Sequence, residues 1–114
     1  MNIAIYARVG CQKQQEFGKI PEAQIQHIES WAKLYGHVIV KRYWDCGTSA
    51  SDYGRPGFQR LICDAQLREH PFDAIAVTDI SRLFREPGAT VLYLRLLQHF
   101  KVTIISLANL SNAV

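Results

Sequence analysis

The sequence predicts an α/β domain built on a mostly parallel sheet, and three observations carry that prediction. Strand-like and helix-like segments alternate along the whole chain in the order β-α-β-α-β-α-β. The last two strand segments, Ala74–Val77 and Val102–Ser106, are almost wholly apolar, as strands covered on both faces are. No internal repeat, low-complexity tract or linker interrupts the 114 residues, a length that suits one domain. The expected architecture is therefore a single domain, with a sheet of four or more strands flanked by helices.

Each element has its own local reason. Asn2 to Val9 alternates and is rich in β-branched residues (Ile3, Ile5, Val9), which predicts the first strand. After the polar stretch GCQKQQEFGK, a helix is expected to begin near Pro21, since proline suits the first helical turn. Ile25, Ile28, Trp31, Ala32 and Tyr35 supply its apolar face, and Gly36 ends it. Val38 to Trp44 reads as the second strand. The segment DCGTSASDYGRPG, with four glycines or prolines in thirteen residues, is expected to be an exposed, mobile loop. Pro56 opens a second helix carrying Phe58, Leu61, Ile62 and Ala65. The third helix begins near Pro87 and carries Val91, Leu94 and Leu97.

Composition narrows the class. A chain that is 48% hydrophobic and 20% charged is an ordinary globule rather than a disordered tail. Its longest uncharged apolar run, Val102 to Ala108, falls far short of the ~20 residues a membrane span needs. MNIAIYARV has no basic start followed by an apolar stretch, so no signal peptide is expected. Three cysteines, Cys11, Cys46 and Cys63, form no CxxC pair and have no histidine at ligand spacing. Reduced thiols in the cytoplasm are expected, with neither disulfide frame nor structural zinc. The formal charge of +3 raises the odds of a polyanionic partner only slightly.

The positions of the arginines say more. In parallel sheets, function gathers in the loops after the carboxyl ends of the strands. Here those segments are Arg8–Gln15, Asp45–Arg55 and Asp79–Arg85, and each carries arginine. Arg8, Arg55, Arg82 and Arg85 are half of the eight arginines. A guanidinium fork matches phosphate oxygens bidentately, and several converging forks are what phosphoryl transfer needs.

The segments IYARV, EAQIQHIESWAKLYGH, DCGTSASDYGRPGFQRLICDA and FDAIAVTDISRLFRE resemble, in order, the N-terminal catalytic domain of serine recombinases of the resolvase/invertase type. The resemblance runs from Ile3 to about Leu107, and RPGFQRLI followed one strand later by SRLFR is its most specific part. It implies a serine hydroxyl that attacks a DNA phosphodiester, leaving a 5′-phosphoseryl link and a 3′-hydroxyl, with rejoining after subunit rotation. It implies no metal and no nucleotide cofactor, arginines serving as the charge stabilisers. By the same resemblance, Arg8 is the arginine two before the nucleophile, Arg55 that of the mobile loop, and Arg82 and Arg85 the pair of the (D/S)RLxR motif. Gln14 and Gln24 align with polar residues of the pocket, Asp45 with the acidic residue ending the second strand, and Ser81 with an aspartate of small resolvases.

The chain departs from the pattern at the nucleophile. Where the family reads YARVS, this sequence reads Tyr6-Ala7-Arg8-Val9-Gly10. Glycine has no side-chain oxygen to attack phosphorus, and losing a nucleophile costs on the order of 10⁶ in rate in a well-studied hydrolase. Cys11 lies one position on, but adjacent residues of an extended segment point in opposite directions. None of Cys11, Cys46 and Cys63 has the arginine six positions later that a C-x5-R phosphatase requires. Ser49, Ser51 and Ser81 are further hydroxyls, of a kind that commonly bonds to backbone. His27, His37, His70 and His99 are scattered and read as surface residues, Trp31 and Trp44 as core or half-buried, and Lys41-Arg42 as a solvated sheet edge.

The resemblance also implies a long dimerisation helix and a DNA-binding domain beyond a domain such as 1–114, and neither is expected within it. Weak DNA binding is therefore expected of these residues, with dimers or tetramers belonging to the full-length family form. A cytoplasmic, mobile-element setting is implied by the resemblance alone. Two further readings stay open: a regulatory or dominant-negative module that pairs with an active recombinase, and an unrelated small α/β binding protein in which the four arginines do not cluster.

Overall fold

The structure, a computed structural model, describes residues 1–9, 22–46, 56–79 and 87–108. Four strands, β1 (Asn2–Val9), β2 (Val38–Cys46), β3 (Ala74–Val77) and β4 (Thr103–Ser106), alternate with three helices, α1 (Glu22–Leu34), α2 (Pro56–Ala65) and α3 (Pro87–His99). The strands form one sheet in the order β2-β1-β3-β4, and every neighbouring pair is parallel. The predicted fold class and element order are thus those of the molecule.

Alternation along β1 divides the core in two. Ile3, Ile5 and Ala7 face one side, where they meet Ile25 and Ile28 of α1 together with Ala74, Ala76 and Leu107. Ala4 and Tyr6 face the other, against Phe58, Leu61, Ile62 and Ala65 of α2 and Leu97 of α3. Strand β3 is buried at all four positions, which is why its sequence is the uninterrupted apolar run AIAV. Each buried Phe, Leu or Ile contributes roughly 1.5–3 kcal/mol, so α2 is held by several kcal/mol through Phe58, Leu61 and Ile62 alone.

The structure shifts several boundaries and faces. Strand β2 runs two residues past Trp44, so Asp45 and Cys46 extend the ladder opposite Arg8 and Val9 instead of opening a loop. Strand β4 starts at Thr103 rather than Val102. Tyr35 is 64% exposed, because α1 stops at Leu34 and Gly36 turns the chain away with φ +76°. The His37 amide donates to the Ala32 carbonyl and the Gly36 amide to Lys33, a Schellman cap that strips Tyr35 from the apolar stripe. Val91 is half exposed, since α3 buries Leu97 and partly buries Leu94 but turns Val91 outward. Trp44 also faces water on the edge strand, whereas Trp31 is half-buried against the α1 side of the core. Lys41 and Arg42 lie exposed on that same edge, Arg42 pairing with Glu29 of α1. Among the four histidines, His37 is the half-buried exception, its ring tilted against Trp31 with centroids 5.1 Å apart.

Candidate functional site

The carboxyl end of the sheet is where charged groups enter the interior. Arg8 and Asp45 are both buried, and they face each other in register across β1 and β2. Alternation puts both on the side of Tyr6 and Tyr43, under α2. Buried charge of this kind is costly unless it is satisfied, so the partners define the site.

Asp45 is satisfied by a helix end and a tyrosine. Its Oδ1 accepts the Gly57 amide at 2.7 Å, and its Oδ2 accepts the Phe58 amide at 2.9 Å and the Tyr6 hydroxyl at 2.7 Å. Gly57 and Phe58 are the second and third residues of α2, whose first amides have no partner within the helix. A carboxylate at a helix N-terminus also meets the positive end of the helix dipole. The approach is very close: a Cβ on Gly57 would lie 2.3 Å from the Trp44 carbonyl oxygen. Only glycine lets α2 start this near β2.

The backbone of Arg8 is fixed from the other face. The Gln24 carboxamide of α1 donates from Nε2 to the Arg8 carbonyl at 3.0 Å, and its Oε1 accepts the Arg8 amide at 3.4 Å. One side chain thus imitates a neighbouring strand at the end of β1. A second tyrosine ties α2 to β2: the Tyr43 hydroxyl donates to Asp64. Burial, reinforced by the Asp64 carboxylate and opposed by Arg60, pushes the Tyr43 phenol well above its ordinary range.

Of the sequence-derived candidates, Arg8, Gln24 and Asp45 are thus placed at one end of the sheet. Gly10, Gln14, Arg55, Ser81, Arg82 and Arg85 lie outside the described residues, as do Cys11, Ser49 and Ser51. Sequence reasoning gives no role to Tyr6, which it names only within the YARV motif, or to Gly57. Tyr6 is fully buried, and a buried tyrosine demands a partner for its hydroxyl. That demand, beside an acidic residue ending the next strand, was the available signal. Among the described residues no cluster of three His, Cys, Asp or Glu could hold a metal ion, and no helix is long and apolar enough to cross a membrane.

Comparison with known proteins identifies the family and the fold. The family model "Resolvase, N terminal domain" matches residues 3–113. The N-terminal catalytic domain of TP901-1 integrase superposes with a TM-score of 0.77 at 31% identity, covering 96% of this chain and 78% of that one. A resolvase family site-specific recombinase from Streptococcus pneumoniae gives a TM-score of 0.77 at 24% identity, over 96% and 73% of the two chains. The C-terminal catalytic domain of ISC1926 TnpA, an IS607-like serine recombinase, gives 0.76 at 23% identity, over 94% and 67%. No curated protein gives a significant match. The chain belongs to the resolvase N-terminal domain family, and its fold is that of the serine recombinase catalytic domains.

Proposed function

We propose that this chain is the strand-transfer domain of a site-specific DNA recombinase whose nucleophile position is filled by Gly10, so that the sequence as it stands does not cleave DNA. The observation that carries this reading is the placement of Arg8. Its side chain is buried at the end of β1, its backbone is gripped by Gln24, and position 10 follows two residues later. A guanidinium held on a strand end can meet the negative charge that develops on a phosphodiester in transfer. Arg55, Arg82 and Arg85 are the further cations of the proposed pocket, and Gln14 and Ser81 its further polar residues. In the reaction, a serine at position 10 would form an Oγ–phosphorus bond as the bond to the 3′-oxygen breaks. The hydroxyl proton would leave the serine, and the departing 3′-oxygen would take one up.

A second reading is favoured by one feature: the Arg8, Gln24 and Asp45 framework is intact beside a position that cannot act. On that reading the chain is a regulatory partner that associates with an active recombinase in the cytoplasm and occupies DNA without cutting it.

Covalent trapping tests the proposal. A nicked duplex is incubated with the protein and with its Gly10→Ser variant, and protein–DNA adducts that survive denaturation are scored. An adduct with Gly10→Ser alone is the expected result. An adduct with Gly10 in place would assign the attack to another residue. Absence from both proteins, with duplex binding retained, would favour the regulatory reading.

A further inference from the structure

We propose that Gln24 is a positioning residue that holds Arg8 by its main chain and so fixes where its guanidinium starts; the assignment rests on the strand-transfer reading above. Arg8 is the penultimate residue of β1, and strand ends open more easily than strand centres. On one edge Arg8 is in register with Asp45 of β2. On the other edge the ladder with β3 covers only Ile3 to Ile5, paired with Ala74 to Ala76. Beyond Val77 the chain stays beside β4, the Thr78 carbonyl accepting the Ala108 amide at 3.0 Å. Gln24 serves Arg8 beyond the reach of that ladder: its Nε2 donates to the Arg8 carbonyl at 3.0 Å, and its Oε1 accepts the Arg8 amide at 3.4 Å.

A primary carboxamide suits this seat because it carries a donor and an acceptor side by side, as the peptide groups of a neighbouring strand do. A carboxylate of the same length has no donor and would set negative charge against the Arg8 carbonyl. A methionine side chain there would supply no donor and only a weak acceptor. The seat itself is fixed. Gln24 lies in the first turn of α1, and Ile25 and Ile28 of the same helix pack on Ile3, Ile5 and Ala7 of β1.

Those apolar contacts already dock α1 on the sheet, so the carboxamide is left to act on one residue of the strand. Its two bonds fix the peptide units on both sides of the Arg8 Cα. The direction in which a side chain leaves a strand follows from its backbone, so the Arg8 side chain inherits that constraint. Gln24 therefore affects transfer through Arg8, with no contact to DNA required of it.

The test follows Gln24→Met and Gln24→Glu by two readouts. In the protein as it stands, the Arg8 amide of Gln24→Met is expected to exchange hydrogen roughly tenfold faster, with the amides of Ile3 to Ile5 unchanged. In the Gly10→Ser protein, either substitution is expected to slow adduct formation on a nicked duplex roughly tenfold, as a small misplacement of a catalytic group does. Measured against Gly10→Ser at each pH, the Gln24→Glu deficit shrinks from about pH 8 to about pH 5, because a protonated carboxyl regains a donor, while the Gln24→Met deficit stays constant. Melting curves identify the folded variants, and Gln24→Glu carries the test alone if Gln24→Met does not fold. An unslowed adduct rate, an Arg8 amide that exchanges no faster, or a Gln24→Glu deficit independent of pH overturns the assignment while leaving strand transfer standing. No adduct from Gly10→Ser itself overturns both.

Discussion

Asp45 and Asp73 stand at opposite ends of the same parallel sheet and hold it in different ways. Asp45, at the carboxyl end, is 5% exposed and spends its carboxylate on a helix start and a tyrosine. Asp73, just before β3 at the amino end, has a side chain 43% exposed. It works mostly through its backbone: its amide donates to the Asn2 carbonyl at 2.7 Å, and its carbonyl accepts the Thr103 amide at 3.1 Å. Its carboxylate accepts the Asn2 amide at 2.9 Å and meets His70 at 3.1 Å. The two carboxylates have similar partners but different surroundings. Water can replace the contacts of one and not of the other, so burial ranks their energies. The amino end is a staple, and the carboxyl end carries the candidate chemistry.

The strongest way to break this contrast is Asp45→Ala. It removes the shared acceptor of three hydrogen bonds, and those to a charged group are worth ~1.5–3 kcal/mol each. A loss of about 4 kcal/mol in urea unfolding is expected, against a much smaller loss for Asp73→Ala. Equal losses would show that burial does not separate the two ends.

Glycines sharpen the same comparison. Gly57→Ala drives a methyl onto the Trp44 carbonyl, and a loss of about 3 kcal/mol is expected despite alanine's better helix propensity. At the amino end, Gly36→Ala meets open space, and its cost of roughly 1 kcal/mol comes from the left-handed backbone alone. Chemical denaturation of both variants reads the difference; a milder effect at Gly57 than at Gly36 would mean that α2 does not need its close seat.

A third comparison concerns two helix ends. The turn after α3 repeats the cap of α1, with the Val102 amide donating to Leu97 and the Lys101 amide to Gln98. There a lysine takes the left-handed conformation, φ +61°. Lys101→Gly should therefore raise stability, by up to about 1 kcal/mol, measured as a higher midpoint in urea.

The smallest effect is expected in acid. The Asn2 amide, with help from His70 and the N-terminal amine, lowers the Asp73 pKa from its ordinary 3.8. The unfolded chain then binds the proton more readily, so stability falls as pH drops below about 4. The contribution is complete above that range and vanishes as pH passes through the lower folded value. Asp73→Asn should flatten this part of the acid unfolding curve; an unchanged curve would show that the clamp is carried by backbone alone.

Much of this was legible in the chain, for reasons that differ by residue. The apolar run Ala74–Val77 identified a buried strand because both its faces are covered, and Pro56 and Gly36 marked helix ends through their own backbone limits. Arg8 was singled out by its place after a predicted strand and again by resemblance, Gln24 and Asp45 by resemblance alone, and the fold sets all three at one end of the sheet. Asp45 looked like a loop residue because nothing local shows how far a ladder continues beyond Trp44; the partner strand supplies that extension. The sequence assigns Tyr6 and Gly57 no role because their importance depends on contacts 39 residues apart, as from Tyr6 to Asp45, or on a backbone approaching from another element.

The sequence by itself determined the alternation of strands and helices, the sites of the turns and the absence of a serine at position 10, because each depends on side-chain pattern or identity along a few residues. Only the tertiary structure decided which acidic group caps α2, why residue 57 must be glycine and which face of β1 carries charge into the interior. Those are questions of distance between segments far apart in the chain, and distance is set by packing the two halves of the core around one sheet.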